Sequence, residues 1–137
     1  MGSCNRWRNQ PSIWALRHDY LKDNHIDYNG SITNAVKMTK EYIKKKLKLK
    51  IEVETRNLEE VKEAIDAKVD RIMLDNMDVQ TMKKAVEIIG GKCESEASGG
   101  ITRDMLKDVA STGVTYISAG ALTHSAENMD LSLKAMK

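Results

Sequence analysis

Three carboxylates recur at even spacing along this chain: Glu54, Asp75 and Glu96, with 21 residues from each to the next. Each closes a short strand-like string, Lys50-Ile-Glu-Val-Glu54, Ile72-Met-Leu-Asp75 and Cys93-Glu-Ser-Glu96. With a helix to cross over after each, the three carboxylates are expected to emerge at one end of a parallel β/α array, where such proteins put their chemistry. Upstream, Lys22-Asp23-Asn24-His25 packs a cation, a carboxylate, an amide and an imidazole into what reads as a loop after a first strand, a composition suited to binding. Downstream, Ala97-Ser98-Gly99-Gly100 precedes a helix expected near Thr102, where glycines let backbone N–H groups approach an anion. Ser118-Ala119-Gly120 offers a second set of amides, and adjacent late βα loops are where barrels hold phosphate. His124 either reaches that anion or caps the turn before a last helix. His18 reads as a surface or packed histidine, and no Cys/His spacing matches a structural zinc site.

The elements that must position these residues show in the period of the apolar side chains. Ile32, Ala35, Val36, Ile43 and Leu47 form a helical stripe that Ser31 can cap. Leu58, Val61 and Ile65 form a second behind Asn57 and Glu60, spaced as a capping box. Val79, Met82, Val86 and Ile89 follow Asp78 and stop at Gly90-Gly91; Met105, Leu106 and Val109 follow Thr102 and stop at Gly113. Strands are expected near Asp19 to Lys22 and over 51–54, 71–74, 92–97 and 115–118. Strands alternating with helices over short connections imply a parallel sheet, and the near-constant repeat favours a (β/α) barrel. A closed barrel of this kind takes about 200 residues or more. The 137 residues here therefore read as part of one. The acids and Ser118 are expected at the carboxyl ends of four β/α repeats. Half a barrel is also expected to leave an open strand edge and an apolar inner face, which self-association would cover.

Composition sets wide bounds. With 41% hydrophobic and 31% charged residues the chain has the balance of an ordinary globular domain, and a net charge of +2 gives no global argument for nucleic acid or an anionic membrane as partner. The basic run from Lys44 to Lys50 reads as the solvated end of an amphipathic helix. Cys4 and Cys93 carry no spacing motif, and no long apolar run or signal peptide is evident, which fits free thiols and a cytoplasmic setting.

Five ordered strings carry a resemblance: Lys22-Asp-Asn-His-Ile26, Ile51-Glu-Val-Glu54, Ile72-Met-Leu-Asp-Asn-Met77, Glu96-Ala-Ser-Gly-Gly-Ile-Thr102 and Tyr116-Ile-Ser-Ala-Gly-Ala-Leu-Thr-His-Ser125. From about Leu21 onward the chain resembles the C-terminal half of quinolinate phosphoribosyltransferase, also called carboxylating nicotinate-nucleotide pyrophosphorylase. The resemblance implies part of a type II phosphoribosyltransferase barrel. It also implies an enzyme of NAD biosynthesis that converts quinolinate and phosphoribosyl pyrophosphate to nicotinate mononucleotide, pyrophosphate and carbon dioxide with Mg²⁺. Lys22 matches the lysine that helps hold the quinolinate carboxylates. Glu54 and Asp75 match the acidic pair for the ribose hydroxyls and the metal. Ser98, Gly99, Gly120 and His124 match the region that holds the 5′-phosphate.

The departures are equally specific. The family places arginines and a further lysine for the dicarboxylate on segments upstream of this match. Residues 4–20 do not match, and a one-base shift of the codons for Trp7 to Tyr20 can be chosen to spell a family-like stretch. Residues 1–20 are therefore expected to stand outside the evolved fold, with residues 21–137 forming the partial barrel. Two function classes follow: a phosphoribosyltransferase that keeps its phosphoribosyl half-site, on quinolinate or another base, and a non-catalytic fragment or interaction module in which these residues are relics.

Overall fold

The computed structural model describes residues 18–43 and 49–122. Five parallel strands lie in chain order: β1 (His18–Leu21), β2 (Lys50–Thr55), β3 (Arg71–Asp75), β4 (Glu94–Ser98) and β5 (Tyr116–Ile117). Between them run α1 (Asp23–Asn29), α2 (Ile32–Ile43), α3 (Leu58–Asp66), α4 (Val79–Ile89) and α5 (Leu106–Ser111). Short 3₁₀ turns cover Arg103–Met105 and Gly120–Leu122. Parallel neighbours cannot be joined by a hairpin, so each return needs a crossover, and the helices supply it.

Helix boundaries follow local chemistry. Asn57 Oδ1 accepts from the Glu60 N–H at 2.9 Å and starts α3, while the Glu60 carboxylate reaches past Asn57 to accept from the Arg56 N–H at 2.7 Å. Asp78 Oδ1 accepts from the amides of Gln80 and Thr81 and starts α4, and Gly90, at φ +54°, ends it. Ser31 Oγ accepts from Asn34 N–H at 3.2 Å as α2 begins. The helix expected after Thr102 differs: its first turn is 3₁₀, with no side-chain cap, and the α-helical part starts only at Leu106. The Lys22 to His25 cluster also differs, because Lys22 alone precedes α1 and the other three residues form its first turn. His25 Nδ1 accepts from the Lys22 N–H at 3.2 Å, so this cluster starts and caps a helix instead of forming a loop.

Strand parity divides the sheet into two unlike faces. Val53, Ile72, Leu74 and Ala97 point to the helix side, where they are fully buried in one core with Val61, Ala64, Met82, Ala85 and Val109. Each large aliphatic side chain buried there contributes about 1.5–3 kcal/mol. The alternating residues, Glu52, Glu54, Arg71, Met73, Asp75, Glu94, Glu96 and Ser98, share the opposite face. That face is charged and polar, which corrects the apolar inner face expected of a half barrel. The open edges are observed: β1 and β5 each have one strand neighbour among the described residues.

Register revises the evenly spaced acids as well. Glu54 lies opposite Met73 and Met73 opposite Glu96, whereas Asp75 lies opposite Ser98. Glu54 and Glu96 therefore share one row, two residues below Asp75; Glu54 is the penultimate residue of β2, whereas Glu96 is buried within β4 and not at its carboxyl end. Equal sequence steps mislead because the crossovers are unequal, α3 having 9 residues and α4 having 11.

Candidate functional site

The carboxyl ends of the strands form a rim, and four of the anticipated residues meet there. Lys22 follows β1, Glu54 is the penultimate residue of β2, and Asp75 and Ser98 end β3 and β4 opposite one another. Burial, and next the neighbouring Asp75 carboxylate, raise the Glu54 pKa above its ordinary value; Tyr20, Asp23 and Lys22 also act on it. Tyr20 Oη donates to Glu54 Oε2 at 3.1 Å and lies 2.8 Å from Met73 Sδ. The Lys22 ammonium stands 5.8 Å from the centre of the Tyr20 ring, so one tyrosine touches two of the rim's functional groups. Asp75 is oriented by Asn76 Nδ2, which donates to Asp75 Oδ2 at 3.0 Å.

The next loops along the rim interlock. Asn76 N–H donates to the Ser98 carbonyl at 3.0 Å with Asn76 at φ +53°. Gly99, at φ +90°, lies so close that an added Cβ would stand 2.5 Å from Asn76 Oδ1 and 2.7 Å from Asn76 N. Glycine is required there by both backbone sign and space. Ala97 pairs with Ile117, and Ser118 N–H donates to the Ala97 carbonyl at 2.9 Å, which sets Ser118 to Gly120 beside Ser98 and Gly99. Two adjacent βα loops with glycine backbones thus line one end of the rim, an arrangement able to receive an oxyanion on amide donors. His124, the remaining anticipated ligand, lies outside the described residues, as do Cys4 and Lys44 to Lys48.

Below the rim lies a cluster that spacing alone did not single out as a unit. Arg71 Nη1 donates to Glu96 Oε2 at 2.9 Å and stands 3.7 Å from Glu52 Oε2; Arg71 Nη2 donates to Glu94 Oε2 at 3.0 Å. Lys50 Nζ meets Glu94 Oε1 at 3.2 Å, and the guanidinium lies over the Tyr116 ring, 4.1 Å from its centre. Ser118 Oγ donates to Glu96 Oε1. Two cations thus face three carboxylates. The surplus falls on Glu52, whose pKa is pushed up to about 7 by burial first and by Glu96 next, partly offset by Arg71. Glu94 goes the other way, held below its ordinary range chiefly by its bond to Arg71. The signal in the sequence was alternation: Glu52 and Glu54, Arg71 and Asp75, and Glu94 and Glu96 keep one parity, which places them all on the face away from the apolar core.

Glu54 and Asp75 suit a hard divalent ion in one respect: they are neighbouring carboxylates that repel each other. Among the described residues no group of three acidic, histidine or cysteine side chains is placed to hold a metal. Such a pair fits Mg²⁺ of the kind that keeps its waters and is shared with substrate phosphates.

Residues 18–134 match the family model described as quinolinate phosphoribosyl transferase, C-terminal domain. The chain belongs to the quinolinate phosphoribosyltransferase family. The match begins at His18, the first residue of β1, three residues ahead of the anticipated start at Leu21. The chain is 49% identical over 130 residues to a carboxylating nicotinate-nucleotide pyrophosphorylase of Oryza sativa subsp. japonica named as chloroplastic, with 83% of this chain and 35% of that protein covered. It is 45% identical to a probable enzyme of the same name from Synechocystis, covering 85% of this chain and 40% of the relative. Among solved structures it resembles the nicotinate-nucleotide pyrophosphorylase from Francisella tularensis, with a TM-score of 0.75 and 39% identity over 87% of this chain and 41% of that one. A mandelate oxidase, at 17% identity and a TM-score of 0.54, shares the fold alone. The chain thus spans about two-fifths or less of the length of these quinolinate-family relatives. The partial α/β barrel expected from the strand and helix pattern is the fold observed.

Proposed function

We propose that this chain carries the phosphoribosyl half-site of a quinolinate phosphoribosyltransferase. The substrates are quinolinate and phosphoribosyl pyrophosphate; the products are nicotinate mononucleotide, pyrophosphate and carbon dioxide. The observation that carries the reading is the rim itself, on which a carboxylate pair and two adjacent glycine loops stand at neighbouring strand ends. Ser98, Gly99 and Gly120, with His124, receive the 5′-phosphate. Glu54 and Asp75 hold the ribose hydroxyls and, through them or directly, Mg²⁺. When bound, that ion supplies positive charge to the departing pyrophosphate. The two carboxylates also lie where positive charge develops at the anomeric carbon as the glycosidic bond to pyrophosphate lengthens, and their field stabilises it.

Lys22 faces the quinolinate carboxylates as a compact cation. A dicarboxylate needs more than one positive partner, and Arg56, which follows the rim end of β2, is already engaged by Asp27 at 3.2 Å and Glu60 at 2.9 Å. We therefore expect ligand binding to outlast turnover in the 137-residue chain. Self-association into a homo-oligomer is part of this proposal, supported by the open edge of β1, beside which Met38 and Tyr42 are exposed. The free Cys93 thiol fits a reducing compartment, and cytoplasmic residence is part of this proposal. Nucleic acid and membrane are not assigned as partners; no helix among the described residues is long and apolar enough to cross a membrane.

Calorimetry tests the proposal. Phosphoribosyl pyrophosphate should bind in the presence of Mg²⁺, Glu54→Ala or Asp75→Ala should abolish the Mg²⁺ dependence, and quinolinate consumption should be negligible. Absence of binding in a demonstrably folded sample would favour the relic reading, and robust carboxylating turnover would overturn the half-site reading.

A further inference from the structure

Glu96 is the one evenly spaced acid that the rim does not use. It is 7% exposed, lies in mid-strand, and has both oxygens engaged, one by Arg71 and the other by the Ser118 hydroxyl. Ser118 is the first residue after β5 and lies two positions before Gly120. We infer that Glu96, anchored by Arg71, is a positioning residue that tethers the Ser118 to Gly120 loop in the geometry that receives the phosphate. The inference rests on the phosphoribosyl reading of that loop.

Three observations support a tether over simple packing. β5 has only two residues and, among the described residues, pairs on one side with β4, so the backbone ladder there holds the following loop weakly. The Glu96 carboxylate joins a layer built by three elements, with Arg71 from β3 on one side and Tyr116 of β5, on which the guanidinium stacks, on the other. A carboxylate near a phosphate site would normally repel the ligand. Here Arg71, 2.9 Å away, offsets that charge while leaving an oxygen to accept from Ser118. A neutral acceptor would hold the hydroxyl less firmly, since hydrogen bonds to charged groups are roughly twice as strong as neutral ones.

Ser118→Ala and Glu96→Gln in the full 137-residue chain test this with two independent readouts. The first is amide hydrogen exchange at Ser118 and Leu122, whose N–H groups bond Ala97 and Ala119. Exchange should quicken about tenfold in both variants while Ile72 and Leu74 in β3 keep their rates. The second is titration with phosphoribosyl pyrophosphate, whose affinity should fall about tenfold in both variants. Ser118→Thr, which keeps the hydroxyl, should restore both. Unchanged loop exchange in Ser118→Ala overturns the tether whatever the ligand does. Faster exchange with unchanged affinity overturns its role in binding. Slow loop exchange in a wild-type chain that binds no phosphoribosyl ligand overturns the phosphate reading of the loop and not the tether, so the two failures are separable.

Discussion

Glu52→Gln should make the protein more stable above neutral pH. In the folded chain Glu52 is the surplus carboxylate beside Arg71, with its side chain 10% exposed, and its pKa rises from the ordinary 4.5 to about 7. A group whose folded pKa is raised contributes stability fully below its unfolded pKa and loses it as pH climbs through the folded value. Wild-type chain should thus lose stability between about pH 4.5 and 7 on account of this one group. At 1.36 kcal/mol for each tenfold change in proton affinity, the loss approaches ~3 kcal/mol at pH 8. Glutamine keeps a donor for the hydrogen bond to Glu96 and removes the titration. Urea denaturation of both proteins at pH 4 and pH 8 checks this. The variants should match at the acid end, and Glu52→Gln should be more stable by about 2–3 kcal/mol at the alkaline end. An equal or smaller stability at pH 8, or a gain independent of pH, would refute the charge count of two cations against three carboxylates.

Gly99→Ala should destabilise by about 2–4 kcal/mol, since it strains a φ of +90° and drives a Cβ onto the Asn76 backbone; the urea midpoint and phosphate affinity should fall together. Asn57→Ala removes the acceptor for the Glu60 amide and should cost about 1 kcal/mol, read as a lower thermal midpoint with unchanged ligand affinity.

Much of the fold was legible because local and global signals agree. Asn57, Asp78, Gly90 and Gly113 mark helix ends by chemistry that acts within a turn or two, and they stand where the apolar stripes begin and stop. Lys22, Glu54, Asp75, Ser98 and Gly99 were placed on the rim because a strand followed at once by a helix leaves little freedom. Sequence distance is not register: α4 and its glycine turn use more residues than α3 does, so equal spacing carries Glu96 below Asp75 to the row of Glu54, where neighbouring side chains bury it. The inner face departs from the apolar expectation for a related reason. Composition averages over parity, whereas only the alternation of Glu52 with Val53 or Glu96 with Ala97 shows that charge faces inward and apolar residues face the helices. Tyr20 carries no local signal of its place in the site, since its bond to Glu54 joins residues 34 positions apart.

In the proposed half-site Ser98, Gly99 and Gly120 receive a 5′-phosphate while Glu54 and Asp75 serve the pyrophosphate end through Mg²⁺. Phosphorus NMR of phosphoribosyl pyrophosphate titrated with the chain observes the two ends separately. The 5′-phosphate resonance should shift with or without Mg²⁺, and the pyrophosphate resonances should shift only with Mg²⁺ and not in Glu54→Ala. A folded chain that leaves the 5′-phosphate resonance unmoved while the pyrophosphate resonances shift, or leaves all three unmoved, would contradict it.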